Sequence, residues 1–256
     1  MPTGRGPHRV RLEPCRKRVR PFLQGLPVAD SCRVQLLFET GHLPVYYFPL
    51  EDVRLCLTVN EARRTHCPYK GDATYYDIQV GERRAEELGW SYPTPLPGAP
   101  AGLAGLVGFY WSKVDAWFEE DDEVFVHARD PYHRIDVLRS SRHVEVVVDG
   151  TVVAATTRPT ILFETGLPPR YYLPKQDVRL DLLQHSATTS RCPYKGEATY
   201  YSVAASGRIL EDVAWCYEHP MPESLKLTFR TSRSRLRPPS LCAFDPGELG
   251  IFQRGQ

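Results

Sequence analysis

The chain predicts a mainly β fold with short helices, built as two tandem antiparallel-sheet domains related by duplication. Three observations carry that reading. One sequence pattern occurs twice at a constant offset of 125 residues: Phe38-Glu39-Thr40-Gly41 returns as Phe163-Glu164-Thr165-Gly166, and Cys67-Pro68-Tyr69-Lys70-Gly71 returns as Cys192-Pro193-Tyr194-Lys195-Gly196. Tyr46-Tyr47 returns as Tyr171-Tyr172 and Trp90 as Trp215, without a gap. So long a period marks a duplicated domain, since solenoid repeats run to about 20–50 residues. Finally, the segments between Gly and Pro punctuation are short and rich in β-branched and aromatic residues, as strands are.

The elements follow in order. Residues 1–17 read as a basic arm around Arg16-Lys17-Arg18, 18–111 as the first repeat, and 143–256 as the second repeat with a divergent C-terminus. In the second repeat, Val144–Val148, Asp149-Gly150 and Thr151–Ala155 form a hairpin signal, because Asp-Gly supplies the positive φ angles of a primed turn. The first repeat has Gln24-Gly25 there, with Pro21 and Pro27 intruding, so its hairpin should be weaker or lie at a sheet edge. Strands are expected at Gln35–Glu39 and Thr160–Glu164, at Arg170–Pro174, at Ala198–Val203 and at Glu211–Tyr217. Pro174 followed by Val178, Leu182 and Leu183 suits a short helix, matched by Pro49, Val53 and Leu57. Residues 112–142 are too apolar for a spacer, with Trp117, Phe118, Phe125 and Ile135, and read as strands packing the halves together around an exposed acidic run, Glu119 to Glu123. Leu106-Val107-Gly108-Phe109 resembles Leu241-Cys242-Ala243-Phe244 at offset 135, so about ten extra residues lie in the basic stretch Leu225 to Pro239.

Composition narrows the function classes. The chain has 256 residues, 42% hydrophobic and 25% charged, enough for two cores of ordinary size. A net charge of +1 gives no general electrostatic case for binding nucleic acid. No apolar run reaches transmembrane length, and a soluble, cytoplasmic protein without a membrane partner is expected. Seven cysteines without a C-x-x-C spacing speak against a disulfide framework and a structural zinc site. No Walker loop, G-x-G-x-x-G or G-x-S-x-G occurs, and neither a metal site nor a cofactor is expected.

Cys-Pro-Tyr-Lys-Gly is the sharpest constellation. Proline fixes the backbone and glycine permits a left-handed or crowded conformation, so a stiff loop carries Tyr69 and Lys70, or Tyr194 and Lys195. Such a lysine can bind an anionic group or serve as base or nucleophile, and its charge can activate Cys67 or Cys192. The alternative is a buried structural thiol and a lysine that snorkels to water. Glu39 and Glu164 end strands just before glycine, at a rim suited to catalytic carboxylates. Tyr46, Tyr76, Trp90, Tyr171, Tyr201 and Trp215 could line a flat aromatic pocket, or simply pack the sheets. Each Tyr-Tyr pair should place one ring inward and one outward. Asp52 with Arg54, and Asp177 with Arg179, read as local caps and ion pairs. His127, His133 and His143 read as scattered.

Leu-Phe-Glu-Thr-Gly, Tyr-Tyr-x-Pro, Asp-Val-Arg-Leu, Cys-Pro-Tyr-Lys-Gly-x-Ala-Thr-Tyr-Tyr and Trp-x-Tyr resemble domain-of-unknown-function family 427 over residues 9 to 222. The resemblance implies a β-tent in each repeat, two antiparallel sheets closed at one end. Related tents include methionine sulfoxide reductase B and the ligand-binding module of cereblon, which use paired C-x-x-C motifs for zinc; hydrophobic packing would replace that metal here. The family is sometimes labelled a nucleotidyltransferase domain, a label no motif in this chain supports. The expected function is binding of an unidentified small molecule, with an accessory metabolic enzyme as one form of it. A non-catalytic scaffold and thiol redox chemistry at Cys67 or Cys192 are the alternatives. On the binding reading, replacing Lys70 or Lys195 should remove binding and leave melting nearly unchanged.

Overall fold

The computed structural model describes residues 7–205, 207–227, 241–244 and 250–254. Contacts divide the chain into two units, Met1–Asp130 and Pro131–Gln256. Each unit is built from two antiparallel sheets, the fold class expected from the sequence.

The first unit contains β1 (Val10–Pro14), β2 (Val19–Leu23), β3 (Leu26–Pro27), β4 (Gln35–Glu39), β5 (Val45–Pro49), β6 (Leu57–Cys67), β7 (Gly71–Val80), β8 (Arg83–Ser91), β9 (Leu106–Phe109), β10 (Ala116–Glu119) and β11 (Asp122–Val124). Its larger sheet runs β1-β4-β5-β9-β8-β7-β6, and its smaller sheet β11-β10-β2-β3. The second unit contains β12 (Ile135–Arg139), β13 (His143–Val148), β14 (Thr151–Thr156), β15 (Thr160–Glu164), β16 (Arg170–Pro174), β17 (Leu183–Cys192), β18 (Gly196–Ala205), β19 (Arg208–Pro220), β20 (Leu241–Phe244) and β21 (Gly250–Arg254). Its sheets run β12-β15-β16-β20-β19-β18-β17 and β14-β13-β21. The strand order of the larger sheet is therefore the same in both units, and β20 holds the place of β9 despite the changed offset.

Local chemistry explains the hairpins. Asp149 and Gly150 both have positive φ, 45° and 82°, and join β13 to β14. Between β2 and β3, Gln24 and Gly25 make the same turn with φ of 50° and 75°, but β3 has only two residues and forms the sheet edge. The two intruding prolines shorten that hairpin as expected.

Several expectations are corrected. The arm is not wholly a tail: Val10–Pro14 pairs with β4 as β1. Residues 112–142 do not form one packing segment, because β10 and β11 pair within the first unit and β12 pairs with β15 in the second. The short helix after Pro174 is only two three-residue 3-10 turns, Lys175–Asp177 and Leu180–Leu182, and the first copy has one, Leu50–Asp52. Val178 bridges Ala154, as Val53 bridges Ala29. That bridge holds the chain extended where a helix would have to continue. Most of the basic stretch, with Arg230, Arg233, Arg235 and Arg237, lies outside the described residues.

The larger sheet of each unit is covered on both faces. In the first unit one face packs Leu36, Phe48, Ile78 and Phe109 against Val19, Leu23 and Trp117 of the smaller sheet. The other face packs Leu37, Tyr47, Tyr75 and Leu106 under Tyr92 and Leu103 from the segment after β8. Tyr46 and Tyr47 thus point to opposite faces, yet each is only 2% exposed. The inward–outward alternation is real, but the outward ring is also buried because a second layer covers it.

Candidate functional site

Each unit carries the same four-residue cluster at the ends of its strands. Glu39 closes β4, and the tight turn between β6 and β7 brings Lys70 to it, where the two side chains form a hydrogen-bonded ion pair. His8 Nε2 lies 3.1 Å from the other oxygen of Glu39, and its ring stacks on Tyr69 with centroids 3.7 Å apart. In the second unit Lys195 Nζ donates to Glu164 at 2.6 Å, His133 Nε2 is 2.9 Å from Glu164, and His133 stacks on Tyr194 at 4.3 Å. Lys70 also sits 5.6 Å from the centre of the Tyr92 ring, a cation–π contact.

The glycine of the motif is required by this turn. Gly71 has φ of 104° and Gly196 has φ of 100°. A Cβ on Gly196 would lie 2.8 Å from the carbonyl oxygen of His219, and one on Gly71 3.2 Å from that of Thr94. Only glycine accepts both the conformation and the close strand.

The lysines are not the free cations that the motif suggests. Burial works to raise the Glu39 pKa, but the hydrogen bond and charge of Lys70, with His8, outweigh it and hold the carboxyl below its usual range. Lys70 and Glu39 are therefore an internally satisfied pair, with side chains 7% and 12% exposed. Removing one partner would strand the other charge, so a stability loss is expected in a lysine variant where the motif alone suggested unchanged melting.

His8 and His133 are the members that the sequence reading missed. The signal was present: His8-Arg9 returns as His133-Arg134 at the same offset of 125. It lay upstream of the recognised repeat, in residues read as arm and inter-repeat segment.

In the first unit a cavity of about 530 Å³ lies beside this cluster. The β5–β9 register spans Tyr47↔Gly108 to Pro49↔Leu106, and the cavity opens beyond its Tyr47 end. Its lining joins Glu39 and Lys70 to Tyr46, Tyr47, Trp90, Tyr92, Phe109, Tyr110, Trp111 and Trp117, with His42 and His127 as further polar groups. Trp111 and Trp117 stack at 4.6 Å with ring planes 10° apart, and Trp90 Nε1 donates to the Tyr47 hydroxyl at 2.8 Å. The Tyr46 hydroxyl donates to Glu119, which also accepts from Lys17 Nζ at 2.5 Å. Glu119 is thus a buried anchor rather than part of the exposed acidic run. Burial, then the charge and hydrogen bond of Glu119, push the Tyr46 pKa far up, so the phenol stays a donor. Burial, with a contribution from Tyr75, takes Tyr110 up to about 12.

The rim of the cavity stores backbone strain. Val126 lines it with φ of 75°, and His127 N–H donates to the carbonyl of Phe125 at 2.9 Å. This is a γ-turn of the rare, strained hand, at a β-branched residue.

The remaining predicted residues lie elsewhere. Tyr69 stacks on His8 away from the cavity lining, and Tyr76 bonds Ser91 Oγ at 2.9 Å on the face toward the smaller sheet. Tyr171 is half-buried against the core of the second unit, and Tyr201 contacts the Cys216 thiol at 3.8 Å. Trp215 packs 6.2 Å from Tyr200, with Arg170 over its ring. Cys67 and Cys192 end β6 and β17, half-buried. Asp52 pairs with Arg33 and Ser31, and Asp177 with Arg158 and Thr156, rather than with Arg54 and Arg179. Arg179 instead pairs with Asp181. Among the described residues, no group of three His, Cys, Asp or Glu side chains is placed to hold a metal. Nor is any helix there long and apolar enough to cross a membrane.

Fold and site together define a duplicated antiparallel-sheet protein with one strand-end cluster per unit. The chain belongs to the family described as "Domain of unknown function (DUF427)", whose model matches residues 11–120 and 136–232. The two matched segments fall one in each unit. Comparison with curated proteins finds no match.

Proposed function

We propose that the first unit binds a small, flat and largely apolar molecule in its aromatic cavity, with a neutral polar group of the ligand set against the Lys70–Glu39 pair. The observation that carries this is the cavity itself, which brings Tyr46, Trp90, Lys70 and Glu39 together with two stacked tryptophans. Its volume falls in the range of about 300–1,000 Å³ common to small-molecule sites, and apolar rings with a few convergent polar groups are the usual lining. Strained backbone such as that at Val126 concentrates at ligand sites, which favours the same reading.

The charge state selects the ligand class. An anion would have to compete with Glu39 for Lys70, at the cost of an unpaired buried carboxylate. A lysine held by a carboxylate is also a poor base or nucleophile, which favours binding over catalysis at this pair. The recurrence of the cluster in the second unit supports a structural role for it: the pair ties the β6–β7 turn to the end of β4.

Native mass spectrometry of the full chain, with and without cell extract, tests the proposal. A reproducible adduct is expected that Trp111→Ala abolishes and Lys195→Ala retains. A bare chain mass throughout, or an adduct indifferent to Trp111, overturns it and turns the search to protein partners.

A further inference from the structure

The second unit holds a buried pair of thiols that the first unit lacks. Cys216 on β19 and Cys242 on β20 face each other in register, and both are fully buried. Directly opposed residues of antiparallel strands have Cα atoms about 4.5–5.5 Å apart, inside the range that a disulfide spans. The Tyr201 hydroxyl lies 3.8 Å from Cys216 Sγ, and Lys175 Nζ lies 5.6 Å from the centre of the Tyr201 ring. Lys175 is partly exposed and 3.8 Å from Glu218.

The corresponding positions of the first unit show that the fold does not need this chemistry. Ser91 stands for Cys216, Val107 for Cys242 and Leu50 for Lys175, while Tyr76 keeps the tyrosine. In the first unit the contact is an ordinary Tyr76–Ser91 hydrogen bond. All three substitutions that separate the copies at this spot add a thiol or a cation.

We infer that Cys216 and Cys242 form a dithiol redox site, which a hydroperoxide oxidises to a cross-strand disulfide. The Cys216 thiol carries the nucleophile: the neighbouring Cys242, with the Lys175 charge and Tyr201, outweighs burial and lowers its pKa, while that of Cys242 is raised. The Cys216 thiolate attacks one peroxide oxygen, an S–O bond forms and the O–O bond breaks. The leaving oxygen takes up the proton that Cys216 released, giving water or an alcohol. Cys242 sulfur then displaces the hydroxyl of the sulfenic acid, and its own proton leaves with that hydroxyl as water. Two thiols are oxidised by two electrons, and one peroxide is reduced.

The full chain should be treated with hydrogen peroxide, alkylated, and mapped by peptide mass spectrometry without reductant. A linked Cys216–Cys242 peptide, two hydrogens lighter than the reduced pair, is expected. Cys242→Ser should leave a sulfenic acid at Cys216 that dimedone traps. Lys175→Leu, which installs the residue of the first unit, should slow oxidation about tenfold, since the thiolate is the reactive species. Oxidation confined to the exposed Cys32 and Cys56 overturns the inference. So does a disulfide formed at the same rate in Lys175→Leu. Circular dichroism of Cys216→Ser, which mimics Ser91, guards against misfolding, and a folded variant whose Cys242 is oxidised as fast as before also overturns it.

Discussion

In the first unit Gly89 and Gly108 lie beneath rings: a Cβ on either would come within 3.0 Å of Phe109 or Trp90. The second unit has Ala214 and Ala243 in the matching places, and their strands carry the thiols Cys216 and Cys242. At the strand ends the units do not differ in this way. Glu39, Lys70, His8 and Tyr69 are reproduced contact for contact by Glu164, Lys195, His133 and Tyr194. The comparison separates two kinds of motif. The cluster that looks most catalytic recurs in both copies, where it links a turn to the end of a strand. The features that differ, glycines under Phe109 and Trp90 in one unit and facing thiols in the other, sit within the sheets, where a side chain can change without altering the strand order.

The strongest way to break this comparison is to cut the shared cluster. Lys70→Ala leaves Glu39 buried without its cation, and a loss of about 3–5 kcal/mol is expected in the first unit. Lys195→Ala should cost the second unit about as much. Hydrogen-exchange mass spectrometry reads the two units separately. A loss in one unit only would show that the clusters are not equivalent.

Gly108→Ala sharpens the contrast by giving the first unit the residue of the second. The Trp90 ring must move a few tenths of an ångström, and overpacking of this kind costs about 1–3 kcal/mol. Trp90 lines the cavity, so ligand binding measured by tryptophan fluorescence should weaken as well.

A smaller effect is expected at Asp77, where the second unit has Ser202. Asp77 accepts from Arg84 at 2.6 Å, from Asn60 at 2.9 Å and from the backbone N–H of Glu87 at 2.8 Å. Asp77→Ser should cost about 1–2 kcal/mol at neutral pH. Burial works to raise the Asp77 pKa, but these donors outweigh it and lower it. A depressed carboxyl adds stability above its unfolded value of about 3.9 and loses it as pH falls through the folded value. The cost of Asp77→Ser should therefore shrink in acid, below about pH 4. A cost independent of pH across that window would show that Asp77 acts through packing and not through its charge.

Much of this molecule was written in short-range chemistry. The Asp149-Gly150 turn, the weakened Gln24-Gly25 hairpin and the strands around the Tyr-Tyr pairs all depend on residues within a few positions of one another, and the duplication shows as a plain repeat of such segments. Such preferences act on φ and ψ directly, so they can be read one segment at a time. The missing helix is the exception: Pro174 and the spacing of Val178, Leu182 and Leu183 were overruled by the bridge from Val178 to Ala154. The site depended on distance along the chain. His8 reaches Glu39 across 31 residues, Lys17 reaches Glu119 across 102, and Asp52 takes Arg33 rather than Arg54, two positions away. Strand order and register bring those partners together, and burial then decides which charges must pair because unpaired ones cannot stay. The sequence alone established two copies of an antiparallel β unit and named most of the residues at their strand ends. Only the tertiary structure decided that the lysines are already paired, that the rings enclose a cavity in the first unit, and that Cys216 faces Cys242 in the second.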